Sequence, residues 1–305
     1  MDEKLQKKLK RMRLQPTPQA FLAEVSHGTA RTYDLATLLL EAGVPPDSRQ
    51  AKAPGRTALM MAVSRNRSLK FITRLLEAGA NPALTDEDGW SSVAHLVSSF
   101  DAEIPGRDTF AEVFRLLTAS PDVTAEDRAL WEPGLEPWTA FLRLGMRALA
   151  KSKPQVAAAL RAPATEAQLA KAETALGVTI PEPLRGLYRV FDGMAQYHFL
   201  GKWQLYSLAE VVEVSQSLRG RKLSNDLGAR GHRNLSWSPS FIPFAQDAAG
   251  DVLFTTPRML GDRAIIKPIN PTYIYRHDED GVTRGTFRLD SELRSLIHTA
   301  GLPRK

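Results

Sequence analysis

The stretch from Ala164 to Gly193 constrains the fold more than any other part of this sequence. Thr165 and Gln168 have the spacing of a capping box, in which two side chains accept hydrogen bonds from otherwise unpaired N–H groups at a helix start. Gly177 suits the left-handed conformation that ends many helices. Apolar residues recur between these signals at helical spacing and predict one buried face; they are Leu169, Ala172 and Leu176.

A second helix is predicted directly after the first. Pro181 and Pro183 suit a first helical turn, because proline lacks the N–H group that is unpaired there. Asp192 and Gly193 then form an Asp-Gly stop. The apolar face of this second helix comprises Leu184, Leu187, Tyr188 and Phe191.

After Gly193 the sequence changes to short alternating apolar runs, which are typical of strands. Ser207–Leu218 predicts a helix, and Phe241–Pro257 predicts a hairpin. We expect Gly250 to take a positive φ in the hairpin turn and, with Asp251, to have a structural role. Helices around short antiparallel strands indicate an α+β domain. Its remaining predicted elements are apolar runs at Ala264–Ile269 and Tyr273–Arg276, a turn at Asp278–Gly281, a strand near Thr283–Arg288 and a helix at Ser291–Ala300.

In order and spacing, these motifs resemble a SUKH-superfamily domain over nearly all of Ala164–Leu302. A hairpin with an aromatic–Pro–aromatic start and a Gly-Asp turn is typical of that family. The resemblance implies the fold shared by many bacterial toxin-immunity proteins and by a fungal cell-wall-assembly regulator. It also implies a protein that acts by binding other proteins and not by catalysis.

The N-terminal half contains repeats. Asp34–Asp47 and Phe71–Leu84 both contain a Leu-rich segment followed by Glu-Ala-Gly and a turn, and Gly43 and Gly79 lie 36 residues apart. Helix pairs of this kind bury their apolar faces by stacking on their neighbours.

A second repeated feature lies between these turns. Gly55–Ala62 resembles the start of an ankyrin helix, with Thr57 at the threonine position of that motif. Asp88–Leu96 is a weaker copy, and its Gly89 lies 34 residues after Gly55. Ala58 and Met60 replace the usual proline and histidine, so the histidine's hydrogen bond to the threonine is missing.

The predicted fold class is an N-terminal ankyrin-like helical repeat array followed by a SUKH-like α+β domain with a mostly antiparallel sheet. The predicted boundaries give a basic N-terminal tail at 1–14, degenerate ankyrin-like repeats with a C-terminal cap at 15–150, a linker at 151–163 and the SUKH-like domain at 164–305.

Charge and composition restrict the classes of function. The net charge is +6, and residues 1–13 alone carry six Lys or Arg against two acids. A basic amphipathic segment contacts membranes or nucleic acid in some proteins, and in others it is a solvated, frayed helix. The chain has no cysteine, which excludes disulfides and thiolate metal sites. It has no apolar run long enough to span a membrane, so we expect a cytoplasmic protein.

No pattern in the sequence predicts catalysis. Phosphate-binding glycine loops, nucleophile elbows and metalloprotease motifs are absent. The acidic triplets at 86–88 and 278–280 each lead into a glycine and are interpreted as turns. The spacing of Asp247, Gly250 and Asp251 does not fit a calcium loop. We therefore expect no enzyme activity, no cofactor and no metal.

A basic segment at 219–233 is the strongest candidate binding site. Arginine and tryptophan are enriched in protein-binding hot spots. The segment could bind an acidic protein partner, bind nucleic acid through phosphates, or be a solvated loop, and of the two ligand classes nucleic acid is the less favoured. The candidate residues are Trp203, Arg219, Arg221, Lys222, Arg230, Arg233 and Trp237.

The sequence thus favours a non-enzymatic protein that binds and neutralises a toxin encoded nearby. An intracellular adaptor or regulatory scaffold without a toxin partner is the alternative. Several residues are expected to serve structural motifs only: Gly55, Thr57, Gly79, Gly89, Pro181, Gly193, Gly250 and Asp251.

Overall fold

Side-chain caps determine where many of the helices begin in the computed structural model. The structure describes residues 2–52, 54–65, 68–99, 107–195, 202–225, 235–256, 272–276, 281–284 and 293. Contacts divide the chain into two compact units, of which the first ends at Leu144 and the second begins at Gly145. The predicted domain boundaries differ from this division and remain predictions.

The first unit is helical throughout its described residues apart from turns and isolated bridges. Its helices are α1 (Glu3–Met12), α2 (Pro18–His27), α3 (Ala30–Glu41), α4 (Ala58–Arg65), α5 (Leu69–Glu77), α6 (Ser92–Ser98), α7 (Arg107–Thr118), α8 (Ala125–Arg128) and α9 (Pro137–Ser152), the last of which continues into the second unit. Hydroxyl side chains at Thr17, Thr29, Ser68, Ser91 and Thr124 accept hydrogen bonds from the first turns of the helices that follow them.

The turns between helix pairs repeat as predicted. Gly79 has φ +92°, close to the +90° of Gly43, and Gly55 and Gly89 also have positive φ. Isolated bridges join Arg49 to Thr57 and Thr85 to Ser91 in successive repeats. The Arg49 guanidinium donates to the Gly55 carbonyl in its own turn and to the Thr85 carbonyl in the next. Stacked helix pairs are therefore held together at their turns as well as by their apolar faces.

Thr57 keeps a capping role although the motif's histidine is absent. Its Oγ1 accepts from the Met60 N–H at 3.3 Å, and its own N–H donates to the Met60 sulfur at 3.4 Å. Thr57 and Met60 are both buried. The thioether thus takes over part of the hydrogen bonding that a histidine would provide.

The second unit combines helices with a mostly antiparallel sheet, as predicted. Its further helices are α10 (Pro154–Ala158), α11 (Glu166–Leu176), α12 (Glu182–Val190) and α13 (Leu208–Leu218). The predicted capping box of Thr165 and Gln168 is present, and Gly177 ends α11 at φ +76°. Pro181 is the N-cap residue of α12.

The described strands form one sheet with the order β1-β4-β5-β6-β7-β2-β3. The strands are β1 (Trp203–Leu205), β2 (Lys222–Asn225), β3 (Leu235–Ser236), β4 (Ile242–Asp247), β5 (Val252–Thr255), β6 (Thr272–Arg276) and β7 (Gly281–Arg284). Neighbours are antiparallel except β2 and β7, which are parallel. Helix α13 contacts both α11 and β4 and covers part of the sheet.

The hairpin of β4 and β5 turns at Gly250, which has the expected positive φ of +94°. Asp247 organises this turn, because its Oδ1 accepts from the N–H groups of Ala249 and Asp251 at 3.0 Å. The structural role predicted for Asp251 thus belongs in part to Asp247, which the sequence motif presented only as a rejected calcium ligand.

Some predicted elements lie wholly or mainly outside the described residues. These are the apolar run at Ala264–Ile269, the turn at Asp278–Gly281, of which only Gly281 is described, and the final helix at Ser291–Ala300, of which only Leu293 is described. The strand near Thr283–Arg288 is described to Arg284 as the end of β7.

Gly193 lies so close to another backbone segment that we expect a side chain at this position to destabilise the fold. A Cβ built on it would lie 2.4 Å from the Ser207 nitrogen and from the Tyr206 carbonyl carbon, and φ is +71°. Gly177 has a similar φ of +76° but no atom within 4 Å of such a Cβ. We expect Gly177→Ala to destabilise by about 1 kcal/mol through backbone strain alone. Gly193→Ala should cost at least about 2 kcal/mol more, because the backbone must move. Chemical denaturation of both variants measures the difference, and equal losses would contradict this role.

The backbone hydrogen bonds of residues 159–162 determine how long a fragment of the second unit must be to reach full stability. Arg161 N–H donates to Gly193, Ala195 N–H donates to Ala159 and Asp192 N–H donates to Ala162. A fragment of residues 164–305 lacks these hydrogen bonds, whereas one of residues 154–305 keeps them. We expect the longer fragment to be more stable by at least about 2 kcal/mol, since each bond contributes roughly 1 kcal/mol. Equal thermal and chemical unfolding of the two fragments would show that residues 154–163 are only a tether.

Candidate functional site

The basic segment begins as a structural cap. Arg219 ends α13, and its Nη2 donates to the carbonyls of Leu176 at 3.2 Å and Ala175 at 3.4 Å, at the end of α11. Cationic side chains are favoured at this position because the last helical carbonyls lack partners and carry partial negative charge. Arg219 therefore links two helix ends. Its proposed role in binding remains a prediction.

Arg221 and Lys222 keep their charged groups at the surface. The guanidinium carbon of Arg221 lies 5.6 Å from the centroid of the Tyr275 ring, within the range of a cation–π interaction. Lys222 lies on β2 opposite Ser236 and is exposed. These are the described cations of the segment that a partner could reach without displacing a helix cap. Arg230 and Arg233 lie outside the described residues.

The two tryptophans of the candidate site belong to the core. Trp237 is 2% exposed and its ring centroid lies 4.8 Å from that of Phe254 and 5.5 Å from that of Phe241. Trp203 is 4% exposed on β1. The expectation that they serve as surface anchors does not fit this burial, because a ring must be accessible to enter a partner's pocket. The binding hypothesis for this segment therefore depends on the cations.

An ion pair that the sequence analysis missed lies where three segments meet in the second unit. Arg161 donates to Glu210 from Nη1 at 2.7 Å and from Nη2 at 3.2 Å. Glu210 also accepts from the N–H and hydroxyl of Ser207, and together they form the capping box of α13. Burial opposes the ionisation of Glu210, but the hydrogen bonds from Arg161 and Ser207 outweigh it and lower its pKa. This carboxylate is held as a charged structural group.

Asp192 lies beside this ion pair and is a second structural acid. Its Oδ1 accepts from the N–H of Leu208 at 2.7 Å, at the first turn of α13. Burial raises the pKa of Asp192, and the hydrogen bond from Leu208 and the charge of Arg161 offset only part of this effect. A raised pKa is common among catalytic acids, but this carboxylate caps a helix, and its hydrogen bond explains its position.

The first unit contains a buried His-Asp pair. His95 Nε2 lies 2.8 Å from Asp86 Oδ2, and Asp86 Oδ1 accepts from the N–H groups of Asp88 and Trp90. The acidic triplet at 86–88 is thus a turn, as the sequence predicted. Ser91 donates to Asp127 and not to His95. Although serine, histidine and aspartate are close together, the serine–histidine hydrogen bond that activates a nucleophile is missing.

The polar groups of both clusters are therefore engaged in structural contacts. Asp86, Ser91, His95 and Asp127 are each at most 5% exposed, so a substrate cannot reach them without local unfolding. Among the residues that the structure describes, no group of three or more metal-binding side chains comes together. No helix in the described ranges is long and apolar enough to cross a membrane.

Comparison with known families supports both resemblances. Residues 163–283 match the SMI1/KNR4 family (SUKH-1), and residues 54–87 match the ankyrin repeat. These matches confirm the order of modules that the sequence predicted. A search of curated proteins gave no match.

The burial of His95 predicts that acid destabilises the first unit. Burial lowers the pKa of His95 most strongly, the hydrogen bond to Asp86 opposes this, and the charge of Arg56 adds to it. A histidine whose pKa is lowered by folding stabilises the folded state while neutral, and this contribution is lost as pH falls below its unfolded pKa of about 6.5. The slope is at most about 1.4 kcal/mol per pH unit for one proton.

Replacing His95 tests this dependence. We expect His95→Gln to flatten the decline in unfolding free energy between about pH 7 and pH 5, the range in which histidine titrates. The exposed His27 provides the matched variant, His27→Gln, which should keep the decline. A decline of equal slope in both variants would mean that other groups cause it.

Proposed function

We propose that this protein is a non-enzymatic binding protein that neutralises a cognate bacterial toxin by direct contact. The observation that carries the proposal is the SMI1/KNR4 match at residues 163–283, because immunity proteins are frequent in the wider SUKH superfamily. The ankyrin match at residues 54–87 adds a second module whose repeats serve generally as interaction scaffolds. Both modules are generally non-catalytic.

The geometry of the polar groups supports binding over catalysis. General acid–base catalysis needs a titratable group within hydrogen-bond reach of a substrate. Asp192 and Glu210 instead hold the start of α13, and His95 pairs with Asp86 in the interior. The described acids and histidine with shifted pKa values thus have structural partners that account for their positions.

The charge of the chain indicates the chemistry of the partner. A net charge of +6 favours association with an acidic surface, because opposite potentials accelerate encounter. Nuclease toxins are often basic, so the proposed toxin is either acidic or not a nuclease. We place the encounter in the cytoplasm and expect the toxin to be encoded by a neighbouring gene.

A regulatory adaptor without a toxin partner is the second candidate function. The ankyrin match favours it, because stacked repeats bind proteins without any toxin being involved. The two functions differ in one property: only the first predicts that the protein rescues cells from the product of a neighbouring gene.

Co-expression with the neighbouring gene product tests the proposal. We expect the wild-type protein to restore growth and to co-purify with that product. Arg221→Glu combined with Lys222→Glu should weaken co-purification roughly tenfold or more if the basic segment is the contact, because paired contacts become repulsive. The fold should persist, since exposed charges contribute little to stability.

A charge-matched variant controls for net charge. Lys151→Glu with Lys171→Glu makes the same change at exposed positions outside the basic segment, and it should leave growth and co-purification unchanged. Rescue that persists in the Arg221/Lys222 variant would move the contact to another surface. Absence of both rescue and a recovered partner would favour the adaptor function.

A further inference from the structure

The basic N-terminal segment forms one wall of a groove in the first unit. Helices α1, α3 and α5 contribute to this groove, which has a volume of about 960 Å³. We call it the α1 groove. Its charged lining residues are Lys8, Arg11, Arg31, Lys70, Arg74 and Asp34.

Helix α1 is a packed element and not a frayed tail. Leu9 is 3% exposed, Asp2 accepts from the Lys4 N–H at the start of the helix, and Arg13 ends it with φ +57°. Lys8 and Arg11 are therefore held on one wall of the groove by the packing of their own helix. The charge of this segment is evident from its residues, whereas the surface on which it lies is evident only from the fold.

The cations of the α1 groove outnumber the acids that face them. Arg74 interacts with Glu77 at 3.0 Å and with Glu41 at 3.7 Å. Within the described ranges, Lys8, Arg11, Arg31 and Lys70 form no ion pair. Asp34 is the one acid in the lining. Four exposed cations from three helices thus point to an anionic ligand.

The apolar part of the α1 groove indicates which kind of anionic ligand fits. Met12, also in the lining, is 43% exposed, which is unusual for a large apolar side chain in the described chain. Methionine adapts its shape to apolar side chains of a partner. The Tyr33 and Phe71 rings stack on each other at 4.4 Å and are 4% and 2% exposed. Since these rings are covered, they do not offer the platform on which single-stranded nucleic acid stacks its bases.

We propose that the α1 groove binds an acidic segment of a protein partner that also carries apolar side chains. The cations pair with its carboxylates, and Met12 contacts its apolar groups. The inference rests on the proposed function, in which this protein binds another protein, and it names the surface and the chemistry of the contact.

A synthetic acidic peptide tests the α1 groove without any toxin. The probe is a fluorescein-labelled peptide that alternates Glu and Leu, and fluorescence anisotropy measures its affinity for the full chain. The salt concentration is about 0.15 M, because exposed charges farther apart than about 8 Å are then screened. We expect Lys8→Glu with Arg11→Glu to weaken binding tenfold or more. Arg31→Glu with Lys70→Glu should have a similar effect from the other helices.

The same helix offers a matched control. Lys4→Glu with Lys10→Glu changes the net charge equally, but these residues do not line the groove; we expect less than a twofold effect. Circular dichroism verifies that each variant keeps its helices. Equal weakening by the test and control pairs, or no binding by the wild-type chain, would overturn the proposal.

Two further probes separate the ligand classes. Single-stranded DNA and anionic phospholipid vesicles of matched charge should bind more weakly than the peptide; tighter binding of either that depends on Lys8 and Arg11 would overturn the choice of a protein ligand. If the protein fails to rescue cells but still binds the peptide, toxin neutralisation is contradicted and the proposal for the α1 groove stands. If the protein rescues cells but does not bind the peptide, the proposal for the α1 groove is contradicted and toxin neutralisation stands.

Discussion

The close approach of Gly193 to the backbone of Tyr206 and Ser207 is the constraint on which the second unit depends. With no Cβ in the way, the chain after α12 passes directly beside the residues that begin α13. That approach lets Asp192 accept from Leu208 and lets residues 159–162 bond to 192–195. Arg161 then reaches Glu210, so an ion pair and a backbone hydrogen bond to Asp192 join three segments at the start of α13.

Both units use buried or half-buried polar groups to hold the backbone. In the first unit, Asp86 accepts from two N–H groups of its turn and contacts His95. In the second, Glu210 accepts from Ser207 and Arg161. An acid in such a position is costly to leave unpaired, so the cluster favours one arrangement of the chain. The surfaces that we propose for a partner are instead the exposed cations at Arg221 and Lys222 and along the α1 groove.

Local signals were predictable from the sequence, whereas contacts between distant positions were not. Thr165 and Gln168 are three residues apart, so their spacing alone predicts the capping box that is present. Arg219 and Leu176 are 43 residues apart, and Arg161 and Glu210 are 49 apart. Trp237 lies close to cations in the sequence and is therefore expected from the sequence to be a binding anchor. Its burial follows from ring packing with Phe241 and Phe254, which the order of residues does not reveal.

The central claim is that this chain acts by binding a protein through its cationic surfaces. Hydrogen–deuterium exchange of the full chain, alone and with the co-purified partner, tests it most directly. The account predicts slower exchange upon binding in Ala30–Glu41 of the α1 groove or in Lys222–Asn225 of the basic segment. Slower exchange confined to the first turns of α11 and α12, which carry Glu166 and Glu182, with both cationic surfaces unchanged, would contradict it.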